Sequence, residues 1–153
     1  MDHPSDYRDV RVLVAEDNPV NQRLMSALLA TLDVAPHIVG DGQAAVRAVE
    51  QDAFDLILMD LSMPVLDGLT AIRRIRALEA QARRRRTPIY VVSSHDGVRD
   101  LLASRAAGAD GHLTKPIMVS TFIQVVGKAL RKGARRAAVG PGVAGWLRNF
   151  AAA

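Results

Sequence analysis

The stretch VRVLVAEDNP at residues 10–19 joins a strand directly to the start of a helix. Residues 10–15 form an apolar run of strand length that is rich in valine. Asn18 is a favoured helix N-cap residue, and Pro19 suits the first helical position, where a backbone N–H would have no partner within the helix. The stretch therefore predicts a strand that ends near Ala15 and a helix that begins at Pro19 and runs to about Leu32.

The same alternation of an apolar strand and a helical segment occurs five times along the chain. The predicted strands lie at residues 10–15, 37–39, 56–59, 91–92 and 112–114, and the last predicted helix spans residues 119–132. Such alternation is typical of a parallel sheet covered by helices on both faces. Because the crossovers are right-handed, we predict an α/β fold, a doubly wound five-stranded parallel sheet with five helices. A closed (β/α)8 barrel needs about 250 residues, and the chain has 153.

Length and composition indicate one compact domain. Of the 153 residues, 49% are hydrophobic, which is enough for a core without a metal or disulfide. We predict an N-terminal extension at residues 1–9, a domain at residues 10–132 and a basic Gly/Ala-rich tail at residues 133–153. The tail either frays or forms a short helix with four apolar residues on one face: Val143, Trp146, Leu147 and Phe150.

Composition also excludes several kinds of chemistry. The chain has no cysteine, which excludes thiol catalysis, cysteine-bound zinc and iron–sulfur clusters. It has no apolar run of membrane-spanning length, and its N-terminus is polar, so we expect a cytoplasmic protein that does not enter a membrane. The net charge of +4 arises after residue 110, where all charged side chains are basic, and four more arginines stand at residues 83–86. We interpret those four as a solvated loop, with an acidic partner or nucleic acid as the alternative.

Four of the predicted strands end in residues that can take part in chemistry. They are Glu16 and Asp17 after the first strand, Asp60 after the third, Ser93 and Ser94 after the fourth, and Thr114 and Lys115 after the fifth. These strand ends should meet along one edge of the sheet, where open α/β proteins bind ligands. Three carboxylates would repel one another there unless a cation lay among them, and oxygen ligands favour Mg²⁺. A lysine and a hydroxyl beside such a metal suit a phosphoryl group, and a carboxylate can be the nucleophile that accepts it.

Four stretches resemble, in order and spacing, the receiver domains of two-component response regulators. They are VLVAEDNPVNQ, LILMDLSMPVLDG, PIYVVSS and GADGHLTKPI. The resemblance covers about residues 9–132. Over this range the chain is similar to the receivers of hybrid histidine kinases and to single-domain response regulators. It implies the CheY-like fold, which is flavodoxin-like with strand order 2-1-3-4-5.

The resemblance implies roles for the residues along the predicted edge. Asp60 matches the phosphoacceptor, Ser93 matches the switch Ser/Thr that turns toward the phosphate, and Lys115 matches the invariant lysine of the family. A cis peptide usually precedes the proline that follows this lysine, here Pro116. The Mg²⁺ ligands implied by the resemblance are Glu16, Asp17, Asp60 and the backbone carbonyl of Ser62.

Partners are implied in the same way. The phosphoryl donor in this family is a phosphohistidine on a histidine kinase or a histidine phosphotransfer protein, and output passes through contacts with a downstream protein. Such a domain is not an enzyme in the usual sense, because it catalyses only its own phosphorylation and dephosphorylation. We expect no specific DNA binding, since about 20 residues after the domain are too few for a helix-turn-helix domain. We expect a monomer or a weak homodimer.

One position departs from the family pattern. Receivers usually carry Tyr or Phe three residues before the lysine, where this chain has His112. His112 either takes part in switching, with a charge that can change near neutral pH, or is a half-exposed residue without that role. The alternative to a phosphorylated receiver is a pseudo-receiver, an interaction module of the same fold that accepts no phosphate. Such modules typically lack the acidic pair, the acceptor or the lysine, all of which this chain has.

Overall fold

The computed structural model describes residues 9–95 and 97–138, with side chains described as far as Arg131. The strands are β1 (Val12–Ala15), β2 (His37–Val39), β3 (Leu56–Asp60), β4 (Ile89–Ser93) and β5 (Gly111–Thr114). The helices are α1 (Pro19–Ala30), α2 (Gly42–Gln51), α3 (Gly68–Gln81), α4 (Val98–Ala107) and α5 (Val119–Ala138). Strands and helices therefore alternate five times, as the sequence predicts.

The strands form one parallel sheet in the order β2-β1-β3-β4-β5. Alternate residues of β1 face opposite sides of this sheet. Val12 and Val14 pack into a core beneath α1 and α5, whereas Leu13 and Ala15 pack into a second core beneath α2 and α3. The predicted doubly wound α/β fold with order 2-1-3-4-5 is confirmed.

Side-chain caps set the starts of the helices that follow β1 and β3. Asn18 accepts hydrogen bonds from the backbone N–H groups of Val20 and Asn21, so α1 begins at Pro19 as predicted. Asp67 accepts one from Thr70, which places the start of α3 at Gly68. A Cβ atom on Gly68 would lie 2.3 Å from the backbone oxygen of Asp60. The glycine therefore allows α3 to begin directly against the end of β3.

Several predicted element boundaries differ from the structure. β1 begins at Val12 instead of residue 10, β4 spans Ile89–Ser93 instead of two residues, and α1 ends at Ala30 instead of Leu32. The largest difference is in α5, which continues past the predicted end at residue 132 to Ala138. Residues 133–138 contain mostly alanine and arginine, which are strong helix formers, so they extend the helix. The predicted domain–tail boundary therefore falls inside α5, and the predicted tail helix lies outside the described residues.

The arginine run at residues 83–86 is largely bonded to the domain itself. Arg84 donates to the backbone oxygens of Val49 and Glu50 at the end of α2. Arg85 lies 3.4 Å from the carboxylate of Asp55, and Arg86 lies 2.9 Å from that of Asp110. All four side chains are exposed, as the interpretation of this run as a solvated loop implies, but three of them also bind oxygens of the domain. Their guanidinium groups bind carbonyl and carboxylate oxygens that local sequence does not identify.

A mostly buried arginine, Arg76 on α3, holds the start of β4 and the turn between α4 and β5. Its guanidinium donates to Glu79 Oε1 and to the Thr87 carbonyl, both at 2.7 Å. It also donates to the Gly108 carbonyl at 2.9 Å and to Asp110 Oδ2 at 2.8 Å. The Arg76 and Glu79 side chains are only 13% and 6% exposed, so this ion pair belongs to the interior of the domain.

Candidate functional site

Three carboxylates meet at the carboxyl edge of the sheet. Glu16 and Asp17 directly follow β1, Asp60 is the last residue of β3, and these two strands are neighbours in the sheet. One oxygen from each carboxylate lies within 4.8 Å of the other two. Glu16 and Asp60 are buried, whereas Asp17 is exposed. This donor set of hard oxygen ligands, open to solvent on one side, fits Mg²⁺, which keeps several of its own waters.

The ammonium group of Lys115 lies beside two of these carboxylates. Its Nζ atom is 3.1 Å from Glu16 Oε2 and 3.5 Å from Asp60 Oδ1. The backbone N–H of Lys115 donates to the Ser93 carbonyl at 2.8 Å and so extends the pairing of β4 with β5. The Lys115–Pro116 peptide is cis, as the resemblance implies. The fold thus brings a cation next to the predicted acceptor, Asp60.

The pKa of Asp60 is raised above its ordinary value. Burial of its carboxylate is the largest cause, and the negative charge of Glu16 raises the pKa further. The positive charge of Lys115 and the N–H of Ser62, which donates to Asp60 Oδ1 at 3.2 Å, act in the opposite direction. The raised pKa means that additional positive charge near Asp60, such as a metal ion, would be stabilising.

This shift predicts how stability depends on pH without metal. Ionised Asp60 is disfavoured in the folded state, so its ionisation lowers the free energy of unfolding. This destabilisation is absent below the ordinary aspartate pKa, about 3.9, and reaches its full size above the raised pKa. In a chelator, Asp60→Asn is therefore expected to have a larger free energy of unfolding than the unsubstituted chain at pH 7. Urea unfolding at several pH values should show this difference shrinking as the pH is lowered toward 4. A difference that stays constant across this range would contradict the assigned cause.

Ser93 and Ser62 both lie next to the cluster. Ser93 is buried at the end of β4, and its Oγ accepts a hydrogen bond from the backbone N–H of His95 at 3.0 Å. Within residues 9–95 and 97–131, this is the only hydrogen bond of the Ser93 hydroxyl, and none joins it to Asp60. Ser62 contacts Asp60 through its backbone N–H. The metal contact of the Ser62 carbonyl and the switching of Ser93 stay predictions.

His112 lies on β5, apart from the three carboxylates. It pairs with Val91 in the sheet register. It also lines a cavity of about 640 Å³ between α4 and β5, together with Leu101, Arg105 and five other residues. The residue is partly buried, and both ring nitrogens are buried without a hydrogen-bond partner among the described protein atoms. The two alternative roles of His112 stay predictions.

Two residues that contact the site, Asn21 and Gln22, received no role from the sequence. Both lie in the first turn of α1 and donate hydrogen bonds to Glu16. The signal was present in the sequence, because polar residues at the start of this helix face the edge where the acidic pair lies. Their amide side chains carry no distinctive chemistry, however, and so did not stand out among the charged residues.

Comparisons with known proteins agree with this arrangement. The chain matches the response regulator receiver domain over residues 12–127. It is 41% identical over 135 residues to the sensor protein GacS of Pseudomonas syringae pv. syringae, a match that covers 86% of this chain but 15% of that protein. The chain therefore spans a small part of that relative's length.

Two solved structures share the fold. The receiver domain of the sensor histidine kinase PA1611 of Pseudomonas aeruginosa PAO1 has a TM-score of 0.70 and 36% identity over 79% of this chain and 97% of that one. That structure holds a magnesium ion in its active-site cleft. The receiver of Saccharomyces cerevisiae Ssk1, crystallised with the phosphotransfer protein Ypd1, has a TM-score of 0.71 and 27% identity, covering 76% of this chain and 86% of that one.

The described part of the chain, residues 9–95 and 97–138, contains no helix long and apolar enough to span a bilayer. Together, the strand order, the carboxylate cluster at the sheet edge and the family match over residues 12–127 lead to one conclusion: this chain belongs to the response regulator receiver domain family.

Proposed function

We propose that this receiver accepts a phosphoryl group on Asp60 in a Mg²⁺-dependent reaction and signals through protein contacts. The observation that carries the proposal is the convergence of Glu16, Asp17 and Asp60 within 4.8 Å, with Lys115 Nζ 3.5 Å from Asp60. An acceptor carboxylate, a place for a divalent cation and an ammonium group are the parts that phosphoryl transfer to aspartate requires.

In the proposed reaction, an oxygen of Asp60 attacks phosphorus in line with the bond to the donor's imidazole nitrogen. The new O–P bond forms as the P–N bond breaks, and the electron pair of that bond stays on the imidazole. The residues that would hold Mg²⁺ are Glu16, Asp17, Asp60 and the backbone carbonyl of Ser62. Mg²⁺, when bound, neutralises charge on the phosphoryl oxygens.

The chain's own residues position the reacting groups. The Ser62 N–H donates to Asp60 Oδ1 and so orients the carboxylate. Lys115 lies 3.1 Å from Glu16, and its ammonium would turn toward the phosphoryl oxygens once Asp60 carries them. Ser93, at the end of the neighbouring strand, is the proposed hydroxyl donor to the same group.

A protein donor fits the surroundings of the acidic site. Large exposed apolar side chains lie at the start of α1, in the β3–α3 loop and at the start of α5, all at the carboxyl edge of the sheet: Val20, Val65, Met118 and Val119. Apolar side chains around a charged centre suit a protein surface better than a small anion. We propose a phosphohistidine on a histidine kinase or a histidine phosphotransfer protein as the donor. Ypd1, which is bound to the Ssk1 receiver, is a phosphotransfer protein of this kind.

Beryllofluoride, a phosphoryl mimic, tests this function without a known kinase. We expect saturable, Mg²⁺-dependent changes in the ¹H–¹⁵N NMR spectrum of the chain near Asp60 and Lys115. Asp60→Asn should abolish them. A matched control is Asp33→Asn, because Asp33 is exposed and its left-handed backbone conformation (φ 58°) also suits asparagine.

Two results would overturn the proposal. One is that the chain gives no Mg²⁺-dependent response, and the other is that Asp60→Asn responds in the same way as the unsubstituted chain. Either result would leave the pseudo-receiver, a module of the same fold that accepts no phosphate, as the remaining function.

A further inference from the structure

Glu16 is a fully buried carboxylate whose two oxygens have different partners. Oε2 lies 3.1 Å from Lys115 Nζ. Oε1 accepts hydrogen bonds from the Asn21 side-chain amide at 3.3 Å and from the Asn18 backbone N–H at 3.2 Å. These two donors together determine which oxygen of Glu16 faces the lysine and the other carboxylates.

The backbone of Glu16 is held by the next residue of the same helix. Gln22 Nε2 donates to the Glu16 carbonyl at 2.6 Å. The Glu16 N–H donates to the Val39 carbonyl at 3.0 Å, which extends the pairing of β1 with β2. Both backbone groups of Glu16 are thus bonded, and the short segment that presents Asp17 is fixed between the sheet and α1.

The sequence permits this arrangement because α1 begins immediately after the acidic pair. Asn18 caps the helix and Pro19 is its first residue, so Asn21 and Gln22 fall in the first turn, close to the end of β1. Arg23, the next residue, is exposed. Two adjacent amides therefore bond Glu16 from one side, while Lys115 bonds it from the other.

We propose that Asn21 and Gln22 are positioning residues that set the Mg²⁺ affinity of the acidic pair, an inference that rests on the proposed function. Asn21 acts through the Glu16 carboxylate, and Gln22 acts through the backbone that leads to Asp17. Without the amide of Asn21, Glu16 Oε1 keeps only the Asn18 backbone N–H as a donor, so the carboxylate turns toward Lys115 more easily and is less well oriented for a metal. Groups that orient metal ligands in this way typically change metal affinity by about 10–100-fold when they are removed.

The test is a Mg²⁺ titration of the full chain followed by NMR. Asn21→Leu keeps the branched shape of the side chain and removes the donor, Asn21→Ala removes both, and Gln22→Met keeps the length and removes the donor without adding a charge. We expect each to weaken Mg²⁺ binding by about 10-fold. Arg23→Ala is the matched control on the same helix and should bind as the unsubstituted chain does. Thermal unfolding in a chelator checks that every variant is folded.

A second measurement separates positioning from general damage to the fold. In Asn21→Leu, the Mg²⁺ concentration that gives half-maximal beryllofluoride binding should rise about 10-fold, while the response at saturating Mg²⁺ is retained. The inference is wrong if the Asn21 and Gln22 variants share the midpoint of the unsubstituted chain, although the proposed function would stand. If the unsubstituted chain binds neither Mg²⁺ nor beryllofluoride, both the function and the inference are wrong.

Discussion

Replacing Lys115 with Met is expected to slow phosphorylation of Asp60 by about 10²–10³-fold, the usual effect of removing one group that stabilises a charged transition state. Met keeps the long aliphatic part of the side chain and removes the ammonium, which lies 3.5 Å from Asp60 Oδ1. Charge that develops on the transferred phosphoryl group would then lack this cation. The rate is measured with a small-molecule phosphodonor at saturating Mg²⁺, so that no cognate kinase is needed.

The same substitution should have the opposite effect on metal binding. Lys115 competes with a metal for the carboxylates, since its Nζ lies 3.1 Å from Glu16 Oε2. Lys115→Met is therefore expected to tighten Mg²⁺ binding while it slows phosphorylation. Lys128→Met, at an exposed lysine on α5, is the control and should change neither quantity. If Lys115→Met weakened metal binding and phosphorylation together, its effect would be on the fold and not on the transferred group.

The fold was predictable because every level of the sequence indicates the same structure. Strand-length apolar runs, the Asn18 cap and alternation with helices all indicate a parallel sheet. A parallel sheet in turn brings the strand ends that carry Glu16, Asp17, Asp60 and Lys115 to one edge. The chemistry of that edge could therefore be inferred from the residues that follow the strands, without knowledge of any contact.

The parts that were not predictable depend on contacts between distant residues. Arg84 binds carbonyls of α2, more than thirty positions earlier in the chain, and its sequence neighbours give no sign of this. The end of α5 at Ala138 depends on helix formers in a segment whose Gly/Ala composition also suits a tail. His112 is recognisable as unusual by resemblance, but the burial of its ring nitrogens follows from packing that the sequence alone does not show.

Replacing Arg76 with Met is expected to lower the free energy of unfolding by about 3–5 kcal/mol, the usual effect of breaking a buried ion pair by removing one partner. The substitution would leave Glu79 Oε1 buried without its cation, and it would remove donors from the Gly108 and Thr87 carbonyls. Glu79 is held in place by a second bond, because its Oε2 accepts from the Thr87 N–H at 2.6 Å. The carboxylate therefore cannot turn to solvent without breaking the connection between α3 and the start of β4.

Urea unfolding of two further variants distinguishes the destabilisation caused by an unpaired buried charge from the destabilisation caused by losing any arginine. Arg85→Met removes an exposed arginine of the 83–86 run, whose partner Asp55 lies 3.4 Å away, and should cost less than about 1 kcal/mol. Adding Glu79→Gln to Arg76→Met should recover part of the lost stability, because no unpaired buried charge then remains. The side-chain oxygen of the glutamine can still accept a hydrogen bond from the Thr87 N–H. If the double variant were less stable than Arg76→Met alone, the carboxylate of Glu79 would stabilise the fold independently of Arg76. The buried-charge explanation would then be wrong.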